Sequence, residues 1–289
     1  MANTIITAEK MVPVVDEIYK KASLTAALDA TTQIDFSGTK TVKVMKIETG
    51  GLGDYSRENG YPRSNTSVTW EEFTLNEERA AAIGVDRMDD DETLGKAFGG
   101  AIGKFVREHV VPEVDAYRFA KYASAAGIKS KTATYADGET LLNDIDVATA
   151  DLDDGEVPTN RILYIASELR PLLMKAFSRN FGNDAAISRA VTNYNDMNIV
   201  YVPRSRFYTG ITLNDGSSNW GYANDGEKIN FMIVCPESVT QATKLALPKV
   251  FDPDTNILKD EWLFQYRLYH DAFVYEKKAN GIYLSKTGA

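Results

Sequence analysis

The stretch Thr93–Ala126, TLGKAFGGAIGKFVREHVVPEVDAYRFAKYASAA, decides how the rest of the chain is arranged. Leu94, Phe98, Ala101, Ile102, Phe105 and Val106 recur at intervals of three and four, the spacing that draws one apolar stripe down an α-helix. The opposite side carries Gly95, Gly99 and Gly103, and each glycine costs about 1 kcal/mol of helix stability relative to alanine. A helix that accepts this loss is expected to pack closely against another backbone. Pro112 removes one backbone donor and predicts a bend near Val111; Glu113, Ala116, Tyr117, Phe119, Ala120 and Ala123 then resume helical spacing. Kinked or split in two, the segment reaches about 50 Å at about 1.5 Å per residue, longer than a compact domain needs, and it reads as a strut.

Upstream of the strut the period changes to two. From Thr39, Val42 and Val44 alternate, then Met45 and Ile47 after a one-residue slip, which predicts a strand with a bulge. A second strand is predicted over Ser67–Leu75, where Val68, Trp70, Glu72 and Thr74 alternate with Thr69, Glu71, Phe73 and Leu75. Between them, Glu48–Thr66 is rich in glycine, serine, asparagine and charge, so the pair reads as a long hairpin with a large tip. Trp70 lies on one face, and Phe73 and Leu75 on the other. A two-stranded ribbon has too little core to stand alone in water, so its own domain or another subunit must cover it. Residues 1–30 hold a short amphipathic helix, Val14, Val15 and Ile18 opposing Asp16, Glu17, Lys20 and Lys21, which suits an arm on a neighbour or a helix packed on its own domain. Asp86, Asp89, Asp90, Asp91 and Glu92 precede the strut, where carboxylates complement a helix N-terminus.

Downstream the pattern is mixed α and β. Leu141, Leu142, Ile145, Ala148 and Leu152 form a helical stripe closed by Asp153, Asp154 and Gly155. Strands are predicted over Arg161–Ala166 and Asn198–Val202, a helix from Glu168 to about Phe177 with Ser167 as its cap, and a last helix over Glu237–Leu245; Phe207–Leu213 and Ile229–Cys235 flank a loop with Asp215, Gly216, Asp225 and Gly226. Trp262–Leu284, rich in aromatic and β-branched residues, ends the chain in strands with Asn280 and Gly281 as a turn.

The 289 residues suffice for a full core, and 44% hydrophobic with 25% charged residues is ordinary for a globular protein. A formal charge of −9 disfavours sequence-reading nucleic-acid binding. One cysteine, Cys235, excludes an intrachain disulfide framework and a cysteine-based zinc cluster, and reads as a small buried hydrophobe. No apolar run approaches the ~20 residues that span a bilayer and no signal-peptide pattern opens the chain, so a soluble, intracellularly made product is expected, with no membrane partner.

Chemistry is sparse. Of two histidines, His109 falls on the apolar side of the strut and reads as a packing residue; His270 beside Asp271 is a weak dyad candidate in a strand-like run. Neither GxSxG nor a P-loop occurs, and Asp252, Asp254 and Asn256 begin like a calcium loop but continue with Ile257 and Leu263 where Gly and Glu belong. No catalytic residue, cofactor or metal site is assigned. Acidic residues are plentiful, which leaves a carboxylate-based hydrolase as the enzyme alternative.

The order of elements resembles the major capsid proteins of tailed bacteriophages, the Hong Kong 97-type fold, in the branch found in phages of Gram-positive hosts. The pieces that carry the resemblance are Leu52–Tyr61 at the hairpin tip, Val85–Asp89 before the strut, Arg107 and Val111–Arg118 on it, and Tyr266–Val274 near the end. The resemblance implies an α+β fold divided into an N-terminal arm (1–38), an extended hairpin loop (39–79), a peripheral domain with the spine helix (80–130), an axial domain (131–245) and a return to the peripheral strands (246–289). It further implies a structural protein, not an enzyme. Such a protein self-assembles into hexamers and pentamers of an icosahedral shell around double-stranded phage DNA, without sequence-specific binding, as a virion component made in the bacterial host cytoplasm. An encapsulin-type nanocompartment shell is the close alternative. Because the arm reaches the hairpin by about residue 40, a separate scaffolding protein is implied unless the chain is already mature, together with a portal. Glu48–Thr66 contains no lysine, so lysine-to-asparagine crosslinking is not expected there. The expected inter-subunit contacts are Asp54, Tyr55, Arg57, Tyr61, Arg63 and Trp70. Arg57 and Arg63 either meet acidic residues of a neighbour or sit on a solvated tip, and Trp70 packs on a neighbour or within its own subunit.

Overall fold

The computed structural model describes residues 23–30, 40–58, 60–61, 63–92, 96–180, 192–214, 220–257 and 259–288. The expected amphipathic helix before residue 23 lies outside them, as do Leu94 and Gly95. After the short turn Ala26–Ala30 come β1 (Thr41–Thr49), β2 (Thr66–Thr74) and β3 (Glu77–Asp86), then α1 (Arg87–Glu92) and α2 (Lys96–Phe105). A π-helical turn, Val106–Val110, leads into α3 (Val111–Ala123). β4 (Lys129–Thr132), α4 (Gly138–Asp154), β5 (Ile162–Ala166) and α5 (Arg170–Asn180) follow. Next come β6 (Asn193–Tyr194), β7 (Met197–Val202), β8 (Ile211–Thr212), β9 (Gly221–Tyr222) and β10 (Ile229–Val234). The chain closes with β11 (Val239–Phe251), β12 (Glu261–Val274), the 3-10 connector Glu276–Gly281 and β13 (Ile282–Lys286).

The strut is real but not broken at Pro112. The wide turn Val106–Val110, in which the Val111 N–H reaches back to the Val106 carbonyl, absorbs the proline. Pro112 then sits in the first turn of α3, where a missing N–H is tolerated. From Lys96 to Ala123 the helix runs about 40 Å at about 1.5 Å per residue. Its stripe Ile102, Val106, Val110, Val111 and Val114 packs on Phe264, Tyr266 and Leu268 of β12, the middle strand of a three-stranded antiparallel sheet ordered β11-β12-β3. The glycine expectation fails for Gly99 and Gly103 among the described residues, none of which a Cβ there would meet within 4 Å.

The larger sheet, ordered β4-β13-β10-β5-β7-β6, holds the main core. β5 and β10 are buried at every position, as continuous apolar runs predict for strands covered on both faces. α4 contributes Leu141, Ile145, Ala148 and Leu152, and α5 contributes Leu173 and Phe177. Asp137 caps α4 by accepting from the Thr140 N–H at 2.8 Å, and Gly138 lets α5 approach, since a Cβ there would stand 2.0 Å from the Leu172 carbonyl oxygen. α3 spans both sheets: Phe119 meets Tyr164 and Phe207 edge-on at 5.0 and 5.1 Å.

Several expectations need correction. β1 pairs with β2 in unbroken register from Thr41↔Thr74 to Thr49↔Thr66, so there is no bulge; the slip at Met45 marks a change of apolar face. Ahead of the strut, where the sequence predicts no strand, β3 is a ten-residue edge strand paired with β12. The helix expected over Glu237–Leu245 is the strand β11: its β-branched Val239, Thr240 and Thr243 suit a ladder with β12, and Pro248 is tolerated because β11 is an edge. Ser167 opens a 3-10 turn whose cap position is Ala166, with no side-chain capping bond. Asn280 and Gly281 do not close a hairpin, since β12 and β13 belong to different sheets. Gly281 is needed there for packing: a Cβ would stand 1.9 Å from Ser238 Oγ.

Candidate inter-subunit surface

The β1–β2 hairpin has two unlike faces because side chains alternate across a strand. Inward, Phe73 stacks on Phe273 at 4.8 Å and meets Tyr275 edge-on at 5.5 Å, and Val42, Val44 and the fully buried Leu75 complete this seat. Outward, the cross-strand pairs Met45↔Trp70 and Ile47↔Val68 carry four large apolar side chains that stay 51%, 58%, 52% and 52% exposed. Cross-strand pairing zips these four side chains into one contiguous stripe.

At the tip, Ser56 and Gly60 exchange backbone hydrogen bonds, the Ser56 N–H at 3.2 Å and the Gly60 N–H at 2.7 Å, and Gly60 adopts φ 76°, which glycine accepts without strain. Tyr55 and Tyr61 meet edge-on at 5.1 Å across this small loop. Asp54, Tyr55, Arg57, Tyr61, Arg63 and Trp70 are all exposed, and among the described residues Asp54, Arg57 and Arg63 make no ion pair. Five of these six cluster at the tip, while Trp70 stands apart on the outward face. Met45, Ile47 and Val68 belong with Trp70; the pairing register, invisible until both strands are aligned, brings them together.

Buried polar residues tie residues 23–25 and the base of the hairpin to the strut, through contacts that periodicity does not show. Asp115 of α3, fully buried, accepts from Ser23 Oγ at 2.7 Å, the Leu24 N–H at 3.0 Å, Thr25 Oγ1 at 2.8 Å and Arg206 at 3.2 Å. Arg118 donates to Thr25 Oγ1 at 2.8 Å, so the chain enters the fold through a charged clamp that seats Leu28 in the core. Two residues beyond Asp115, the Tyr117 hydroxyl donates to buried Asp271 at 2.7 Å, and Asp271 also takes the Asn76 N–H at 3.1 Å where the hairpin leaves β2. Arg79 of β3 pairs with Glu113 at 2.7 Å. Glu77, beside Asp271, has its carboxyl pushed up from the ordinary range by partial burial and by that neighbouring charge.

The chemistry candidates separate cleanly. His109 is exposed, against expectation, because the π turn rotates it off the packed stripe; it stacks on Phe105 at 5.9 Å beside a cavity of about 160 Å³ lined also by Arg79, Glu113 and Trp220. His270 is buried, edge-on to Tyr117 at 5.4 Å, and burial pushes its pKa down to about 3, with Arg118 and Arg79 adding to the shift. Its partner in the suspected dyad, Asp271, is committed to Tyr117 and backbone donors. Asp252 accepts from the Thr255 N–H at 2.7 Å and Asp254 pairs with Arg87, so both serve a turn. Cys235 is buried in the main core. Asp86 accepts from the Met88 N–H at 2.9 Å, a capping role at α1. Among the described residues no group of His, Cys, Asp and Glu is arranged to hold a metal ion, and no helix is long and apolar enough to cross a membrane.

The mixed α/β fold of this chain matches that of solved phage capsid structures. The mature capsid of bacteriophage PhiM1 superposes with a TM-score of 0.67 at 13% identity over 90% of this chain and 86% of that one. The capsid of cyanophage P-SCSP1u gives 0.64 at 14% identity over 90% and 87%. The virus-like particle of Pyrococcus furiosus gives 0.58 at 12% identity, covering 96% and 98%. No protein-family profile and no curated protein matches the sequence.

Proposed function

We propose that the chain is a major capsid protein, a structural subunit that assembles with copies of itself into hexamers and pentamers of an icosahedral phage shell around double-stranded DNA. The observation that carries this reading is the outward hairpin face: Met45, Ile47, Val68 and Trp70 stand half exposed on a ribbon firmly seated on its other side. A contiguous exposed apolar stripe marks a contact with another molecule. A second copy is the natural partner in a symmetric assembly, where many modest contacts add up. The tip residues Asp54, Tyr55, Arg57, Tyr61 and Arg63 extend the same contact, with both arginines free to meet carboxylates of the neighbour. In this reading residues 1–38 are the arm, 39–79 the extended loop, 80–130 the peripheral domain with its spine helix, 131–245 the axial domain, and 246–289 the return, whose last strand continues into the axial sheet. A scaffolding protein and a portal act with it in the host cytoplasm, and the chain has no catalytic role.

A nanocompartment shell is the second reading, favoured by the end-to-end match with the Pyrococcus furiosus particle. Electron microscopy of the expressed chain tests both. Closed shells that co-purify with no protein cargo support the capsid, shells filled with a cargo protein support the nanocompartment, and a chain that stays monomeric at all concentrations overturns both.

A further inference from the structure

The inward face of the hairpin is fastened halfway along its length by ion pairs and hydrogen bonds. Lys46 donates to Glu276, and Glu48 accepts from Lys277 at 2.9 Å. Lys277 also reaches the Ile47 carbonyl at 3.1 Å, and the Glu276 N–H donates to Glu71 Oε1 at 3.1 Å. Lys46 and Glu48 are two residues apart on β1 and so share a face, where their alternating signs meet the opposite alternation of Glu276 and Lys277. The Glu276 and Glu48 side chains are 69% and 62% exposed, Lys277 41% and Lys46 17%, so each pair has one solvated partner, in contrast to the buried seat of Phe73 and Leu75 at the hairpin base. Glu276 and Lys277 open the connector between β12 of the three-stranded sheet and β13 of the six-stranded sheet. The charged fastening therefore sits on the joint between the two sheets.

We propose that this crossed pair is a salt-releasable latch that sets the aim of the hairpin. Latched, the ribbon lies over the connector and its direction follows the angle between the sheets; unlatched, it pivots on the aromatic seat at its base. The two fastenings respond differently to the medium. Apolar contact persists in salt, whereas exposed ion pairs weaken as the Debye length falls from about 30 Å at 0.01 M to about 3 Å at 1 M. Glu276 holds the Lys46 ammonium above its ordinary range and Lys277 holds the Glu48 carboxyl below its own, so both pairs stay ionised across neutral pH and ionic strength is the lever. The proposal concerns the single chain and does not rest on the shell reading.

The test places spin labels at Leu52→Cys on the fully exposed tip and Asp154→Cys at the exposed end of α4, leaving buried Cys235 unlabelled. Distances are measured by pulsed electron resonance on the dispersed full-length chain. The expected result is one narrow distance at 0.01 M salt that broadens at 1 M, the latched population falling about two- to fivefold. Lys46→Glu should broaden it already at low salt, and Lys46→Glu with Glu276→Lys should restore it. An unchanged distribution in Lys46→Glu, salt-independence of the parent, or failure of the charge swap to restore the narrow distance overturns the latch. Lys46 is only 17% exposed and Glu276 69%, so the distances of each variant are compared only where its unfolding midpoint matches the parent's.

Discussion

Trp70→Ala should weaken assembly by about two orders of magnitude in concentration while leaving the subunit folded. An aromatic side chain buries on the order of 200 Å². Trp70 is 58% exposed, so about 115 Å² remains for a neighbour to cover, worth about 3 kcal/mol at about 25 cal/mol per Å². At about 1.4 kcal/mol per tenfold, this moves the concentration at which shells form upward by about a hundredfold. Folding stability should hardly change, because the outward face gives the lone subunit little burial to lose. Light scattering over a dilution series reads the assembly threshold, and thermal unfolding of dilute protein reads the fold. The reasoning is refuted if Trp70→Ala assembles at the parent concentration, or if it unfolds the dilute subunit, which would place the indole in that subunit's own core.

Three further outcomes follow from the anchoring network and the core. Asp115→Ala leaves Arg206 without its buried partner and should destabilise the chain by about 3–5 kcal/mol, with protease cleavage opening near Ser23–Thr25 before global unfolding. His270, held neutral with a pKa of about 3, binds its proton more readily in the unfolded chain. Its contribution is present above pH 6.5 and is lost as pH falls, about 1.4 kcal/mol per unit down toward 3, and His270→Phe should flatten that limb of the stability profile. Glu77 has the opposite sign: its raised pKa means that ionisation opposes folding as pH rises through it, so Glu77→Gln should stabilise the protein at neutral pH and not at pH 4, as chemical denaturation at the two values would read.

The strut was legible because its stripe of Ile102, Val106 and Val114 repeats at helical spacing whatever lies against it. The same holds for α4 and for β5 and β7, whose apolar runs are long enough to outweigh alternatives. β11 was misread because Gln241, Ala242, Lys244, Leu245 and Ala246 favour a helix locally, and only the ladder with β12 overrides that preference. The wide turn before Pro112 was not visible, since the sequence shows the missing donor but not how the helix accommodates it. In the candidate contact surface, Asp54, Tyr55, Arg57, Tyr61, Arg63 and Trp70 are expectations that the resemblance implies, and the structure leaves all six exposed. Met45, Ile47 and Val68 were seen as strand residues only, because their common face depends on a register between segments about 20 residues apart.

What the sequence determined by itself is therefore the set of elements with strong local periodicity, the absence of a cysteine framework, and a hairpin too thin to stand unaided. Tertiary structure decided which face of that hairpin is left uncovered, where the histidines go, and how Asp115 holds Ser23–Thr25 and Asp271 the hairpin base. The physical reason is distance along the chain. Periodicity is written into neighbouring residues, whereas Ser23 to Asp115 and Asn76 to Asp271 are bonds across 92 and 195 positions that exist only after the core has closed around them.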